Sequence, residues 1–201
     1  MNHIPIQLAD HVACLPMGLR NHIMRVCHVA RELAEANVID ADQAELAATG
    51  HDIARAVPSH ELLAQARLLG IPIHPVEEAL PILLHGPVGA ELLRRQFGVT
   101  DEVVLAAVRW HSTANRGLSI LGRLVFLADK LDPQKVRRHP DRARIRKLAL
   151  QELDQGVLEF LTTEVQRFIR DGGLIHPASV EARNELLEKE GARHRLGFRV
   201  E

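Results

Sequence analysis

A chain of 201 residues with 46% hydrophobic and 25% charged residues is long enough, and apolar enough, for one domain with a sizeable core. The formal net charge of -1 argues against a nucleic-acid or membrane surface. An aromatic content of 3%, with one tryptophan and no tyrosine, argues against a stacking platform for single-stranded nucleic acid. Cys14 and Cys27 form neither a CxxC pair nor a disulfide framework, so a reduced, cytoplasmic chain is expected. The first residues lack a basic leader followed by an apolar run, and the apolar stretches are too short to span a bilayer. The twelve histidines are unusual.

Apolar residues recur at helical spacing almost throughout, and no alternating strand stands out, which predicts an all-α fold. His22, Val26, Val29, Ala30 and Leu33 share one face of a first helix. Asp40 is placed to cap a second, running through AELAATGHDIARA. Ser59 opens a third, stopped by Gly70 and the GIPIHP loop. GPVGAELLRRQFG, with Pro87 in its first turn, ends at Gly98. Thr100 is expected to cap TDEVVLAAVRWH, and LSILGRLVFLADKLD should end at Pro133. The basic, proline-broken stretch QKVRRHPDRARIRK reads as solvent-facing. One long amphipathic helix, ALQELDQGVLEFLTTEVQRFIRDGG, and a last one from PASVEARNELLEKE complete the chain. Residues 1–16 read as an N-terminal extension, 17–190 as one helical bundle and 191–201 as a tail.

Several polar residues conflict with this pattern. His22, the adjacent His51 and Asp52, His85, His111 and Asp129 each sit on, or at the end of, an apolar helical face. Asp129 lies one turn after Val125, near a helix C-terminus where the dipole disfavours a carboxylate. Desolvating such groups is costly unless something binds them, and a cation would remove the penalty. A lone histidine on an apolar face is more often bonded to a carbonyl, but six such residues would each need a separate compensation. Imidazole with carboxylate suits iron, manganese or zinc. Six protein ligands are too many for one catalytic ion with open positions, and suit two ions sharing a carboxylate, as in two-metal phosphohydrolases. A di-iron oxidase would be expected to show Glu-x-x-His pairs, which are missing.

The order H…HD…D, as His22, His51–Asp52 and Asp129, resembles the HD superfamily of metal-dependent phosphohydrolases. The strings GHDIAR, LLHGPVGAELL, RWHST, LSILGRLVFLADKLDP and GLIHPASVEARNELL resemble more narrowly the YqeK family of symmetrical bis(5'-nucleosyl)-tetraphosphatases, over about residues 17–188. The resemblance implies a single HD-domain bundle in which His22, His51, Asp52 and Asp129 hold one metal. His85 and His111 would hold a second, with Asp52 bridging. It implies iron at this centre, and cleavage of diadenosine tetraphosphate and related dinucleotides at the middle phosphoanhydride into two nucleoside diphosphates. His51 and Asp52 would then be central to catalysis, with a hydroxide shared by the metals attacking an inner phosphorus.

Near the ligands, Arg55, Arg116 and Lys135 are candidates to offset phosphate charge, and Thr113 to donate a hydrogen bond to a phosphate oxygen. Where the family usually has lysine, this chain has Arg55. The cation after RWHST comes late, at Arg116, Lys130 replaces an aromatic, and EPxR has become DPQK. His176, Arg183 and Asn184 read as braces for the last helix, and Cys27 as a buried structural thiol. Two other readings stand beside this one. An HD nucleotidase would use only the four-residue set and leave His85 and His111 idle. A non-catalytic nucleotide-binding protein would be expected to have lost ligands. The expected partner is a small nucleotide, with no nucleic acid and no membrane, and a homodimer is compatible.

Overall fold

The computed structural model describes residues 4–195, with side chains to residue 191. The first three residues of the expected extension, and residues 196–201 of the expected tail, lie outside this range. The described residues form helices and turns with no strand: α1 (Ile6–Cys14), α2 (Met17–Ala36), α3 (Ala41–Gly50), α4 (Ser59–Leu68), α5 (Pro75–Ala79), a single 3-10 turn (Pro81–Leu84), α6 (His85–Gln96), α7 (Glu102–Trp110), α8 (Ile120–Lys130), α9 (Pro133–Arg138), α10 (Asp141–Gln151), α11 (Leu153–Asp171) and α12 (Pro177–Arg195).

Four helices make the centre. The stripe Val26, Val29, Ala30 and Leu33 of α2 packs with Ala44, Ala47 and Ala48 of α3, Val104 and Val108 of α7, and Leu124 and Leu127 of α8, all almost fully buried. Small alanines on α3 let it approach its neighbours closely. Leu8 of α1 is fully buried in the same core, so part of the expected extension belongs to the packed body. Truncating one of these buried leucines to alanine should cost about 2–5 kcal/mol. The α10–α11 hairpin lies against α2 and α8, and α12 packs on α11. A smaller cluster of Leu62, Ala66, Leu84 and Val88 joins α4, the 3-10 turn and α6.

Side-chain caps mark several of the helix starts. Asp40 accepts from the Asp42 and Gln43 amides, as expected. The cap of α7 is Asp101 rather than Thr100; its carboxylate accepts from Val103 and Val104. Pro133 does not simply end α8. It occupies the first turn of α9, which Asp132 caps. The expected long C-terminal helix is two, broken at Glu152. There Asn37, which follows the end of α2, donates to the Ala149 carbonyl and accepts from the Leu153 amide, satisfying groups that a continuous helix would have paired internally. The basic segment is not wholly solvent-facing either: Ile145 is buried and Arg142 is half-buried.

Candidate metal centre

The residues of the centre come from five places in the chain. His22 sits in the second turn of α2. His51 and Asp52 follow α3, where the helix tightens into short turns bonded from the amides of Ile53 and Arg55 back to Gly50 and Asp52. That change of pitch, absent from the predicted continuous helix, lets neighbouring side chains point into one space. His85 opens α6, His111 closes α7, and Asp129 lies in the last turn of α8. Gly86 makes the α6–α7 approach possible, since a Cβ there would lie 2.7 Å from the Arg109 carbonyl oxygen.

All four imidazoles are oriented from behind. The Nδ1 of His51 donates to the Ala48 carbonyl (2.6 Å), that of His111 to Val108 (2.7 Å), and that of His85 to Ile82. The Nδ1 of His22 instead donates to Asp132 Oδ2 at 2.7 Å. Each ring is thereby fixed with its Nε2 facing inward, the atom a metal would take. Burial holds His111 down to about 4 against the pull of Asp52, and lowers His51 too, so both stay neutral. Burial would also lower His22, but its bonds to Asp129 and Asp132 win and raise it.

The two oxygens of Asp52 face different partners. Oδ2 lies 3.5 Å from the Nε2 atoms of both His22 and His51, while Oδ1 lies 3.1 Å from His85 and 3.5 Å from His111. Asp129 Oδ1 is 3.0 Å from His22 Nε2 and 3.9 Å from His51 Nε2, on the first side. The ligand atoms of His22, His51 and Asp129 all lie within 4.8 Å of one another, as do those of His51, Asp52 and His111. His85 Nε2, 2.9 Å from His111 Nε2, extends the second group. Burial would raise both carboxyls, but facing histidines, and for Asp129 the adjacent lysines, hold them well below the usual range. Ionised carboxylate oxygens and imidazole nitrogens, packed this tightly, are a donor set that fits divalent ions.

The profile of the HD domain matches residues 19–134, which run from before His22 to beyond Asp129. The chain belongs to the HD-domain family. Within it, a symmetrical bis(5'-nucleosyl)-tetraphosphatase of Bacillus subtilis is 33% identical over 75% of this chain and 81% of its own length. One of the same name from Halalkalibacterium halodurans is 31% identical over 83% and 87%. By these relatives the chain is a member of the symmetrical bis(5'-nucleosyl)-tetraphosphatase branch of HD domains. A Clostridium acetobutylicum crystal structure, described as a predicted HD superfamily hydrolase involved in NAD metabolism, superposes with a TM-score of 0.85 at 27% identity. It covers 91% of this chain and 96% of that one.

Beside the HD centre, a cleft of about 260 Å³ has Ser112, Thr113, Lys130 and Lys135 among its polar lining, and Phe160, Phe168 and Leu174 among its apolar lining. Lys130 and Lys135 reach Asp129 with their ammonium groups at 2.7 and 2.5 Å. Thr113 also lines the cleft, but its hydroxyl donates to the Ala114 carbonyl. Arg55 is exposed just past Asp52. Arg116 is turned away, paired with Glu188 of α12 at 2.6 Å. His176 accepts from the Ala178 amide at the start of α12, and Arg183 ties that helix to Thr162 of α11. Cys27 packs against Thr49, and burial pushes its thiol up to about 11.

The residue that sequence reasoning missed is Asp132. Besides capping α9 and orienting His22, it accepts from Arg25 at 2.7 and 2.9 Å, and these bonds outweigh burial to depress its carboxyl. The signal was present in the sequence, since an aspartate directly before a proline that opens a helix is a capping pattern.

Proposed function

We propose that this chain hydrolyses diadenosine tetraphosphate and related dinucleoside tetraphosphates at the middle phosphoanhydride, releasing two nucleoside diphosphates. The observation that carries this reading is Asp52, whose two oxygens address two separate groups of imidazoles. The similarity to tetraphosphatases supports the substrate class. His22, His51 and Asp129 would hold one divalent ion and His85 and His111 the other, with Asp52 offered to both. The expected metal is iron, with manganese or zinc compatible. When bound, such a pair supplies activated water at neutral pH and charge neutralisation on phosphoryl oxygens.

The protein's own part is positioning. Carbonyls behind His51, His85 and His111, and Asp132 behind His22, keep the nitrogens aimed. Lys130 and Lys135 oppose the negative charge of the polyphosphate, and Arg55 stands at the rim. The product is a nucleoside diphosphate, a stable anion, so no dedicated general acid is needed. No described helix is long and apolar enough to cross a membrane, and both cysteines are free, in keeping with a cytoplasmic enzyme.

The test is to incubate metal-loaded protein with diadenosine tetraphosphate, separate the products and count the metal. ADP alone, with two ions per chain, is expected. AMP with ATP, or no turnover, overturns the reading.

A further inference from the structure

The cleft beside the metal centre holds three cations, and two of them, Lys130 and Lys135, already have a carboxylate partner in Asp129. Arg142 of α10 is different. Its Nη1 donates to the Lys130 carbonyl at 2.9 Å and its guanidinium lies over the Phe160 ring, 5.4 Å from the centroid. Among the described residues no carboxylate comes within ion-pair distance of it. The carboxylate in the same wall, Glu164, is engaged by Arg167 at 2.7 and 3.1 Å. Burial lowers the Arg142 pKa while Glu164, Asp141 and Asp129 only pull back from a distance. A half-buried guanidinium with a fixed plane and no counter-ion carries an uncompensated desolvation cost, and an anionic ligand would recover it.

Its place in the cleft says which anion. Lys130 spans the gap, with its ammonium on Asp129 and its carbonyl on Arg142. The two lysines thus touch the metal centre at Asp129, whereas Arg142 lies over Phe160, one of the apolar residues that line the cleft with Phe168 and Leu174. A nucleoside diphosphate has matching parts: a terminal phosphate, a phosphate joined to ribose, and a base. Resting on the function proposed above, we infer that Arg142 binds the phosphate adjoining the ribose of the nucleotide half lodged in this cleft, with the base against the apolar wall. The alternative is that Arg142 only caps the C-terminal carbonyls of α8.

Binding of ADP and of inorganic phosphate to the metal-loaded full chain separates the two. For Arg142→Gln, ADP affinity should fall by about tenfold or more, the loss of a charge-assisted contact. Phosphate affinity, metal content and melting temperature should hold, and Arg142→Lys should restore part of the ADP binding. Unchanged ADP affinity, or equal weakening of ADP and phosphate with a lowered melting temperature, overturns the inference. A wild-type chain that binds ADP through Arg142 but cleaves no dinucleotide would sink the proposed reaction and leave this site standing. Cleavage with ADP binding indifferent to Arg142 would do the reverse.

Discussion

His22 meets Asp129 with Nε2 at 3.0 Å while Asp132 holds its other nitrogen at 2.7 Å. The two aspartates sit on either side of a helix junction, one in the last turn of α8 and the other capping α9. One carboxylate thus holds the His22 ring, a helix start and Arg25 together.

Asp132→Asn tests that arrangement. An amide can still cap α9 but no longer offers His22 a charged acceptor, and such outer partners are worth about 10–100-fold in metal affinity. We expect that loss with little change in melting temperature. Asp132→Ala should add about 1 kcal/mol of destabilisation from the missing cap. Metal titration and thermal unfolding of both variants check this, and wild-type affinity in Asp132→Asn would remove Asp132 from the centre's design.

Asp52 is the shared element, so its loss should not be local. Asp52→Asn is expected to lower metal content on both sides and abolish hydrolysis. His111→Ala, which touches only the Oδ1 side, should keep about one ion, bound by the His22 group. Elemental analysis of the two purified variants distinguishes them. Equal metal content would mean that Asp52 is not shared.

Much of the fold was legible because it depends on local periodicity. The α2 stripe and the Asp40 cap follow from residues a few positions apart, and so does the stop at Gly98, whose φ of +66° glycine adopts readily. The six imidazole and carboxylate residues were conspicuous because each breaks an apolar pattern. What escaped depends on partners far along the chain. Asp132 bonds to His22, 110 positions away, a pairing that no local pattern signals. Arg142 was hidden in a run of surface cations, and only the fold sets it apart from Arg144 and Arg146, which pair with Glu159 and Glu32. The break between α10 and α11 is made by Asn37, more than a hundred positions upstream.

Gly86 offers a prediction about spacing rather than chemistry. A Cβ at this position would lie 2.7 Å from the Arg109 carbonyl and 3.3 Å from His111 Nδ1. Gly86→Ala must therefore push α6 from α7 or displace the His111 ring, at a cost of about 1–3 kcal/mol. The His85–His111 side should lose its ion first, while the His22 side stays loaded. Unaltered metal stoichiometry and melting temperature would show that the two helices have slack.

Acid should destabilise the metal-free protein before its carboxylates titrate. In the unfolded chain His111 takes up a proton near its ordinary 6.5, whereas in the folded chain burial holds it at about 4. As pH falls through that window the unfolded state binds more protons, so stability is lost, by up to about 1.4 kcal/mol per pH unit for such a group. His51, lowered by the same burial, adds to the loss. His22 works in the other direction: its folded pKa is raised, so it contributes stability below 6.5 that fades as pH rises. Its window lies at and above 6.5, so it does not offset the loss that His111 and His51 bring below that pH. Urea unfolding of chelator-treated protein should show lower stability at about pH 5 than at about pH 7, with a shallower difference in His111→Gln. A flat profile for the wild-type chain would mean that these imidazoles are not held neutral, and so are not poised to receive a metal.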